Sequence, residues 1–154
     1  MKILVTSDTH NDFEALNKVV LANSDSKLII HLGDGSKDIE KIKELYQDKI
    51  ILSVRGNCDS DLNIPPIIEY NIKKKKLFLT HGNLFNVKND MSYIINHVKE
   101  NKFDILLFGH THKPFISNEN GILVMNPGSL KGDSGTYGTL DIKSNNIVAD
   151  IVRT

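Results

Sequence analysis

Asp8-Thr9-His10, Gly33-Asp34, Gly56-Asn57, His81-Gly82 and Gly109-His110-Thr111-His112 each lie just past an apolar run of this 154-residue chain. Together they offer seven donors, Asp8, His10, Asp34, Asn57, His81, His110 and His112, six of them Asp or His. Carboxylate, imidazole and amide oxygen without thiolate select a borderline or hard divalent ion, Mn, Fe, Ni, Co or Zn, over a cysteine-held structural zinc. Seven protein donors exceed the needs of one tetrahedral ion. They suit two ions with four protein ligands each when one carboxylate bridges. In an extended segment residues i and i+2 point the same way, so Asp8/His10 and His110/His112 form natural pairs. A lone Asp-Thr-His is commonly a helix entry and a lone Gly-Asp a turn. Five such motifs in this order are far more specific than any one of them.

The elements that must position these donors are legible in the apolar runs. Ile3-Leu4-Val5, Leu28-Ile29-Ile30, Ile50-Ile51-Leu52, Leu77-Phe78-Leu79 and Ile105–Phe108 are short and rich in β-branched residues, as buried strands are. Donors just beyond the carboxyl ends of strands occupy the place where open α/β sheets bind ligands. Phe13, Leu16, Val19 and Val20 have helical spacing behind an Asn11 cap; Ile39, Ile42 and Leu45 repeat it behind Ser36 or Asp38. Strand, helix, strand, helix, strand implies parallel pairing with right-handed crossovers. Pro65-Pro66 ends that alternation, and Ile67–Ile72 and Leu77–Thr80 follow, joined by Lys73-Lys74-Lys75-Lys76. An exposed turn accounts for these lysines better than a nucleic-acid patch, since aromatic interleaving is missing. Met91, Ile94, Ile95 and Val98 mark a third helix ending near Asn101. The remainder is strand-rich: 115–117, 122–125, 136–142 and 147–152, with Ser144-Asn145-Asn146 as the last turn. The expectation is two sheets face to face with helices outside.

Composition sets the outer limits. The length suits one domain, 40% hydrophobic and 25% charged residues are ordinary for a soluble globular protein, and 19 basic residues balance 19 acidic ones. A balanced charge gives no sign of a nucleic-acid or anionic-membrane face, yet permits a phosphate substrate because bound cations supply positive charge locally. The single cysteine, Cys58, forms no internal disulfide and fits a reducing compartment. The amino-terminal segment is too short for a signal-peptide core, and no apolar run reaches the ~20 residues of a membrane span. A cytoplasmic protein is expected.

The set Ser7-Asp8-Thr9-His10, Leu32-Gly33-Asp34, Arg55-Gly56-Asn57-Cys58-Asp59, Thr80-His81-Gly82 and Gly109-His110-Thr111-His112 resembles the calcineurin-like metallophosphoesterases. Gly56-Asn57-Cys58-Asp59 and Asn126-Pro127-Gly128-Ser129 look like its small bacterial and archaeal phosphodiesterase branch. The resemblance spans essentially all of 1–154 as a single domain. It implies an α/β fold, a four-layer α/β/β/α sandwich of two mixed sheets with helices outside. Carried over by position, Asp8, His10 and His112 would bind one metal and Asn57, His81 and His110 a second, with Asp34 bridging. Two divalent ions, manganese foremost and Ni, Co, Fe, Zn or Mg as alternatives, would hold a bridging hydroxide that attacks a phosphoester. The implied activity is a phosphodiesterase with Asp34, Asn57 and His81 in its catalytic set. A phosphomonoesterase is the alternative. A non-catalytic scaffold is a third reading, since one eukaryotic relative of the fold resembles a vesicle-coat subunit. A homodimer or tetramer is a further expectation from exposed β-edges.

Several positions depart from the family pattern. Cys58 stands where many relatives place a histidine that assists the leaving oxygen. A thiol is a weak donor at neutral pH, which predicts slow turnover and a preference for good leaving groups. The competing reading makes Cys58 a small buried residue. Asn83 replaces a common histidine, and Leu130-Lys131-Gly132-Asp133 replaces a common Pro-Arg continuation. Outside the motifs, His31 reads as a core histidine satisfied by backbone, His97 as a surface residue, and Arg55 as a brace for a carboxylate.

Overall fold

The computed structural model describes residues 1–132, 134–144 and 146–154. Its first sheet has the order β10-β9-β1-β2-β3 and contains β1 (Lys2–Thr6), β2 (Leu28–His31), β3 (Ile50–Ser53), β9 (Thr136–Ile142) and β10 (Ile147–Arg153). The second has the order β4-β5-β6-β8-β7, from β4 (Ile67–Ile72), β5 (Lys75–Thr80), β6 (Ile105–Leu107), β7 (Phe115–Glu119) and β8 (Ile122–Asn126). Pairing is parallel for β1-β2-β3 and for β5-β6-β8, and antiparallel at β9, β10, β4 and β7. Both sheets are therefore mixed.

Alternation along the strands produces the layers. Ile3 and Val5 of β1 join Leu28, Ile30, Leu77, Leu79, Ile105 and Leu107 in the core between the sheets. Leu4 and Ile29 point the other way, onto Leu16, Val19 and Val20 of α1 (Phe13–Ala22) and Ile39 and Ile42 of α2 (Ser36–Leu45). Phe78, Leu106 and Val124 pack against Ile94 and Val98 of α3 (Ser92–Glu100) on the far side. The result is the expected α/β/β/α sandwich. Strands buried on both faces need apolar residues at every position, which is why their sequences run continuously rather than alternating. Among the described residues no helix is long and apolar enough to cross a membrane.

Local expectations fare unevenly. The cap of α1 is Asp12, whose carboxylate accepts from the Ala15 N–H at 3.1 Å, not Asn11, which takes a left-handed φ of 68°. Neither Ser36 nor Asp38 caps α2; Gly35 is its N-cap and makes no side-chain cap bond. The lysine run is a two-residue turn, Lys73 and Lys74 at φ 46° and 65°, which suits the right-handed twist of a hairpin. Lys75 and Lys76 already belong to β5, and each meets an acid, Asp104 at 3.2 Å and Glu69 at 3.8 Å. His97 is half-buried rather than free on the surface, its ring 5.1 Å from that of Phe78 and 5.5 Å from that of Phe85. The middle of the turn assigned to Ser144-Asn145-Asn146 and the last residue of Leu130-Lys131-Gly132-Asp133, that is Asn145 and Asp133, lie outside the described residues.

His31 is a core residue, but its partner is a side chain. One ring nitrogen meets the Thr6 hydroxyl at 3.0 Å, and the other has no hydrogen-bond partner among the described residues. Burial pushes its pKa down from 6.5 to about 4. The fold therefore favours the neutral ring: as pH falls from 6.5 to about 4 the unfolded chain takes up a proton that the folded chain refuses, and stability is lost. His31→Gln should flatten that acid limb by up to ~1.4 kcal/mol per pH unit, read from urea midpoints of the two proteins across the window.

Candidate metal centre

All five motifs lie beyond the carboxyl ends of parallel strands: β1 leads to Asp8 and His10, β2 to Asp34, β3 to Asn57, β5 to His81, and β6 to His110 and His112. Because the two sheets face each other, these ends meet along one edge. Backbone bonds lash the loops together: the Asp8 N–H donates to the Gly33 carbonyl, His10 to Asp34, and Gly109 to His81, at 3.0, 2.9 and 3.0 Å. Asp8, His10, Asp34, His110 and His112 all have left-handed backbones, φ 46–68°. Asp and His tolerate that region better than most residues, yet each such position costs of order 1 kcal/mol. Gly33, at φ 99°, has room for no side chain: a Cβ would sit 2.7 Å from both the Gly56 nitrogen and His81 Nδ1. A Cβ on Gly56 would meet Asp34 Oδ1 at 2.1 Å.

Each buried carboxylate divides its labour between its two oxygens. Asp8 Oδ2 accepts from the Ser7 hydroxyl at 2.5 Å and the His110 N–H at 3.1 Å. Its Oδ1 is buried without any hydrogen-bond partner among the described residues. That oxygen faces Nε2 of His112 at 3.0 Å, of His10 at 3.7 Å and of His81 at 4.0 Å. Asp34 Oδ1 accepts from the Cys58 N–H at 2.8 Å, while Oδ2 faces Nε2 of His81 at 3.3 Å and of His10 at 3.9 Å. His81 Nδ1 lies 2.6 Å from the Leu32 carbonyl. A carbonyl only accepts, so Nδ1 carries the proton, and Nε2 is the nitrogen presented to Asp34, Asn57 and His110. Asn57 Oδ1 is 3.0 Å from it and His110 Nδ1 3.1 Å; across the site, His10 and His112 bring Nε2 atoms to 3.4 Å.

Charge follows this geometry. Burial alone would raise the Asp34 carboxyl, but the bond and charge of His81 and the Cys58 N–H outweigh it and hold it well below the usual carboxylate range. Burial would likewise lower His81, and Asp34 with Asp8 overcomes it and raises the ring. His110 is lowered by burial, by His81 and by the charge of Lys88. A carboxylate oxygen buried without a donor is costly unless a cation stands against it. Asp8 Oδ1 and the imidazole nitrogens around it fit a divalent ion. Among the described residues three groups bring ligand atoms within 4.8 Å of one another: Asp8-His10-His112, Asp8-Asp34-His81 and His10-Asp34-Cys58. Asp8 belongs to two of these groups, as do His10 and Asp34.

Residues that the sequence reading left without a role hold the loops. Asp59 accepts the backbone N–H groups of Asp34, Gly35, Ser36 and Gly56 at 2.8–3.0 Å, capping α2 from another loop and fixing two donor-bearing turns at once. These bonds overcome the effect of burial and keep its carboxyl below the ordinary range. Asn126 donates to the Gly109 carbonyl at 2.9 Å and Ser129 to the Asp8 carbonyl at 2.8 Å. Both Asp59 and the Asn126–Ser129 stretch were visible as parts of motifs; their partners, distant in sequence, were not. Arg55 braces no carboxylate: its guanidinium donates to the Leu62 carbonyl at 3.2 Å. Cys58 is exposed, so the small-buried-residue reading fails, and its thiol is pushed up by partial burial and by Asp34. Asn83 opens a short 3-10 turn, Asn83–Phe85, behind His81.

A four-layer sandwich that gathers Asp and His side chains at the carboxyl edge of both sheets is the framework of a metal-dependent hydrolase. The sequence profile of the calcineurin-like phosphoesterase superfamily domain matches residues 1–145, and the chain belongs to that superfamily. It is 31% identical to the phosphodiesterase YfcE of Escherichia coli K12 over 170 aligned residues, covering 92% of this chain and 88% of the relative. A predicted phosphoesterase from Streptococcus pneumoniae TIGR4 superposes with a TM-score of 0.84 at 26% identity, covering 99% of this chain and 88% of that one. Vps29 from Entamoeba histolytica shares the fold, with a TM-score of 0.78 at 20% identity over 100% and 99% of the two chains.

Asp59→Ala removes four acceptor bonds at once. It should destabilise the metal-free protein by about 2 kcal/mol in a denaturant titration and weaken metal binding by about 10- to 100-fold in calorimetry.

Proposed function

We propose that the protein is a two-metal phosphodiesterase whose ions are held by Asp8, His10 and His112 on one side and Asn57, His81 and His110 on the other, with Asp34 between them. The observation that carries this reading is the partnerless, buried Asp8 Oδ1 aimed at three imidazole nitrogens, with Asp34 Oδ2 repeating the arrangement between His10 and His81. Bound there, the ions would supply a strongly nucleophilic water at neutral pH and neutralise the phosphoryl oxygens during in-line displacement.

The chain's own residues do the rest. Leu32 fixes the His81 tautomer so that Nε2 faces inward. Ser7 and the His110 N–H lock Asp8, and the Cys58 N–H locks Asp34, so each carboxylate turns one free oxygen to the site. Asp34, held well below the usual carboxylate range, is anionic, as a site for two cations requires. The Cys58 thiol, raised above its ordinary value, stays protonated at neutral pH and lies beside His10 and Asp34. It is a weak donor, which fits a preference for good leaving groups. The relative named as a phosphodiesterase supports diesters over monoesters. Manganese as the working ion, and the cytoplasm as a compartment suited to an exposed thiol, belong to the same proposal.

Metal-stripped protein reconstituted with Mn²⁺ should hydrolyse bis(p-nitrophenyl) phosphate faster than p-nitrophenyl phosphate. Asp34→Ala and His81→Ala should each lower the diester kcat/KM by at least about 100-fold. Absence of diester turnover with Mn²⁺, Ni²⁺, Co²⁺, Zn²⁺ or Mg²⁺, or full activity in Asp34→Ala, contradicts the proposal.

A further inference from the structure

Beside the metal centre runs a groove of about 460 Å³, within the range of small-molecule sites. Val87, Met91, Phe108 and Phe115 line it, and Lys88 and Lys113 are its charged members. The groove and the centre share one loop. Thr111, also part of the lining, sits between His110 and His112, and Phe108 leads into the same loop. Val87 packs against Gly82, next to His81, since a Cβ there would come within 2.8 Å of it.

The lining chooses among the groups a phosphodiester could carry. Met91 and Phe115 offer apolar surface to a ring, with the buried Val87 and Phe108 behind them, and none of the four offers a polar atom to sugar hydroxyls. The one hydroxyl in the lining, that of Thr111, accepts from the Lys113 N–H at 3.2 Å and Asn126 Nδ2 at 3.0 Å, which leaves it a single O–H to donate to a ligand. Phe115 is 42% exposed on β7, so a large aromatic face is held in solvent at the mouth. Two lysines, and no acidic side chain among the described residues of the lining, suit a ligand that arrives with negative charge. We propose that this groove is a specificity site for an aromatic ester arm of the substrate, seating the ring against Phe115 and Met91 while Lys88 and Lys113 attract the phosphate. It rests on the two-metal reading for the position of the phosphate and adds the substrate class. A flexible polyol arm would leave the apolar walls unfilled; a planar ring desolvates them.

Two phosphonates that are not hydrolysed test this without requiring turnover. Calorimetry on Mn²⁺-loaded protein should find 1-naphthylmethylphosphonate bound at least about 30-fold more tightly than methylphosphonate. Phe115→Ala and Met91→Ser should each shrink that ratio to about fivefold or less, and Leu21→Ala, on the outer face of α1, should leave it unchanged. Lys88→Ala and Lys113→Ala should weaken both compounds together. The ratio is independent of the active fraction, so partly unfolded variants still report. Equal binding of the two phosphonates, no binding of the naphthyl compound, or a ratio unmoved by Phe115→Ala overturns the proposal. Diester hydrolysis measured on the same preparation separates the two readings. Turnover with equal phosphonate binding sinks the groove and spares the activity; a high ratio without turnover supports the groove and sinks the activity.

Discussion

Everything at the edge of this sandwich depends on a crowd of acceptors with too few protons to share. Asp8 Oδ1 has no donor, Asp34 Oδ2 faces two imidazoles, and Asn57 Oδ1 stands 3.0 Å from the inward nitrogen of His81. Lone pairs brought this close repel, and burial strengthens the repulsion by removing water. Only cations reconcile such a set, either protons on the imidazoles or divalent ions. The raised His81 and depressed Asp34 show the first solution at work in the protein alone. Divalent ions are the second, and they compete with those protons for the same nitrogens.

Holding the crowd together is the task of the rest of the fold. Ile3, Val5, Leu28, Ile30, Leu77, Leu79, Ile105 and Leu107 form the layer between the sheets, and their packing fixes where five strand ends emerge. The left-handed turns at Asp8, His10, Asp34, His110 and His112 are individually unfavourable. They persist because Asp59, Asn126, Ser129 and the Leu32 carbonyl each tie a donor loop to another part of the chain. Strain at the donors and rigidity behind them are two sides of one design.

Much of this was readable from residue order. Four of the five apolar runs announced buried strands, since a strand covered on both faces must be apolar throughout; Ile50-Ile51-Leu52, read the same way, is instead the edge strand β3, with Ile50 49% exposed. The motifs announced the donors, because Asp, His or Asn past a strand end has few other reasons to recur five times. What could not be read were pairings across long sequence separations. Asp59 caps α2 from 23 residues away along the chain, so local cap signals pointed wrongly to Ser36 and Asp38. His31 found Thr6 on the neighbouring strand rather than backbone, and Arg55 found a carbonyl rather than an acid. His97 was placed on the surface because a helical pattern does not reveal that Phe78 and Phe85 lie beneath it. Side-chain partners set by tertiary packing leave no mark in local spacing.

The central claim is that two ions share this edge with Asp34 between them. Crystals grown with Mn²⁺ and measured at the manganese absorption edge test it directly through anomalous scattering. The account predicts two peaks roughly 3.5–4 Å apart, one beside Asp8, His10 and His112, the other beside Asn57, His81 and His110, with an Asp34 oxygen on both. A single peak at saturating Mn²⁺, or two peaks that Asp34 does not join, would contradict it.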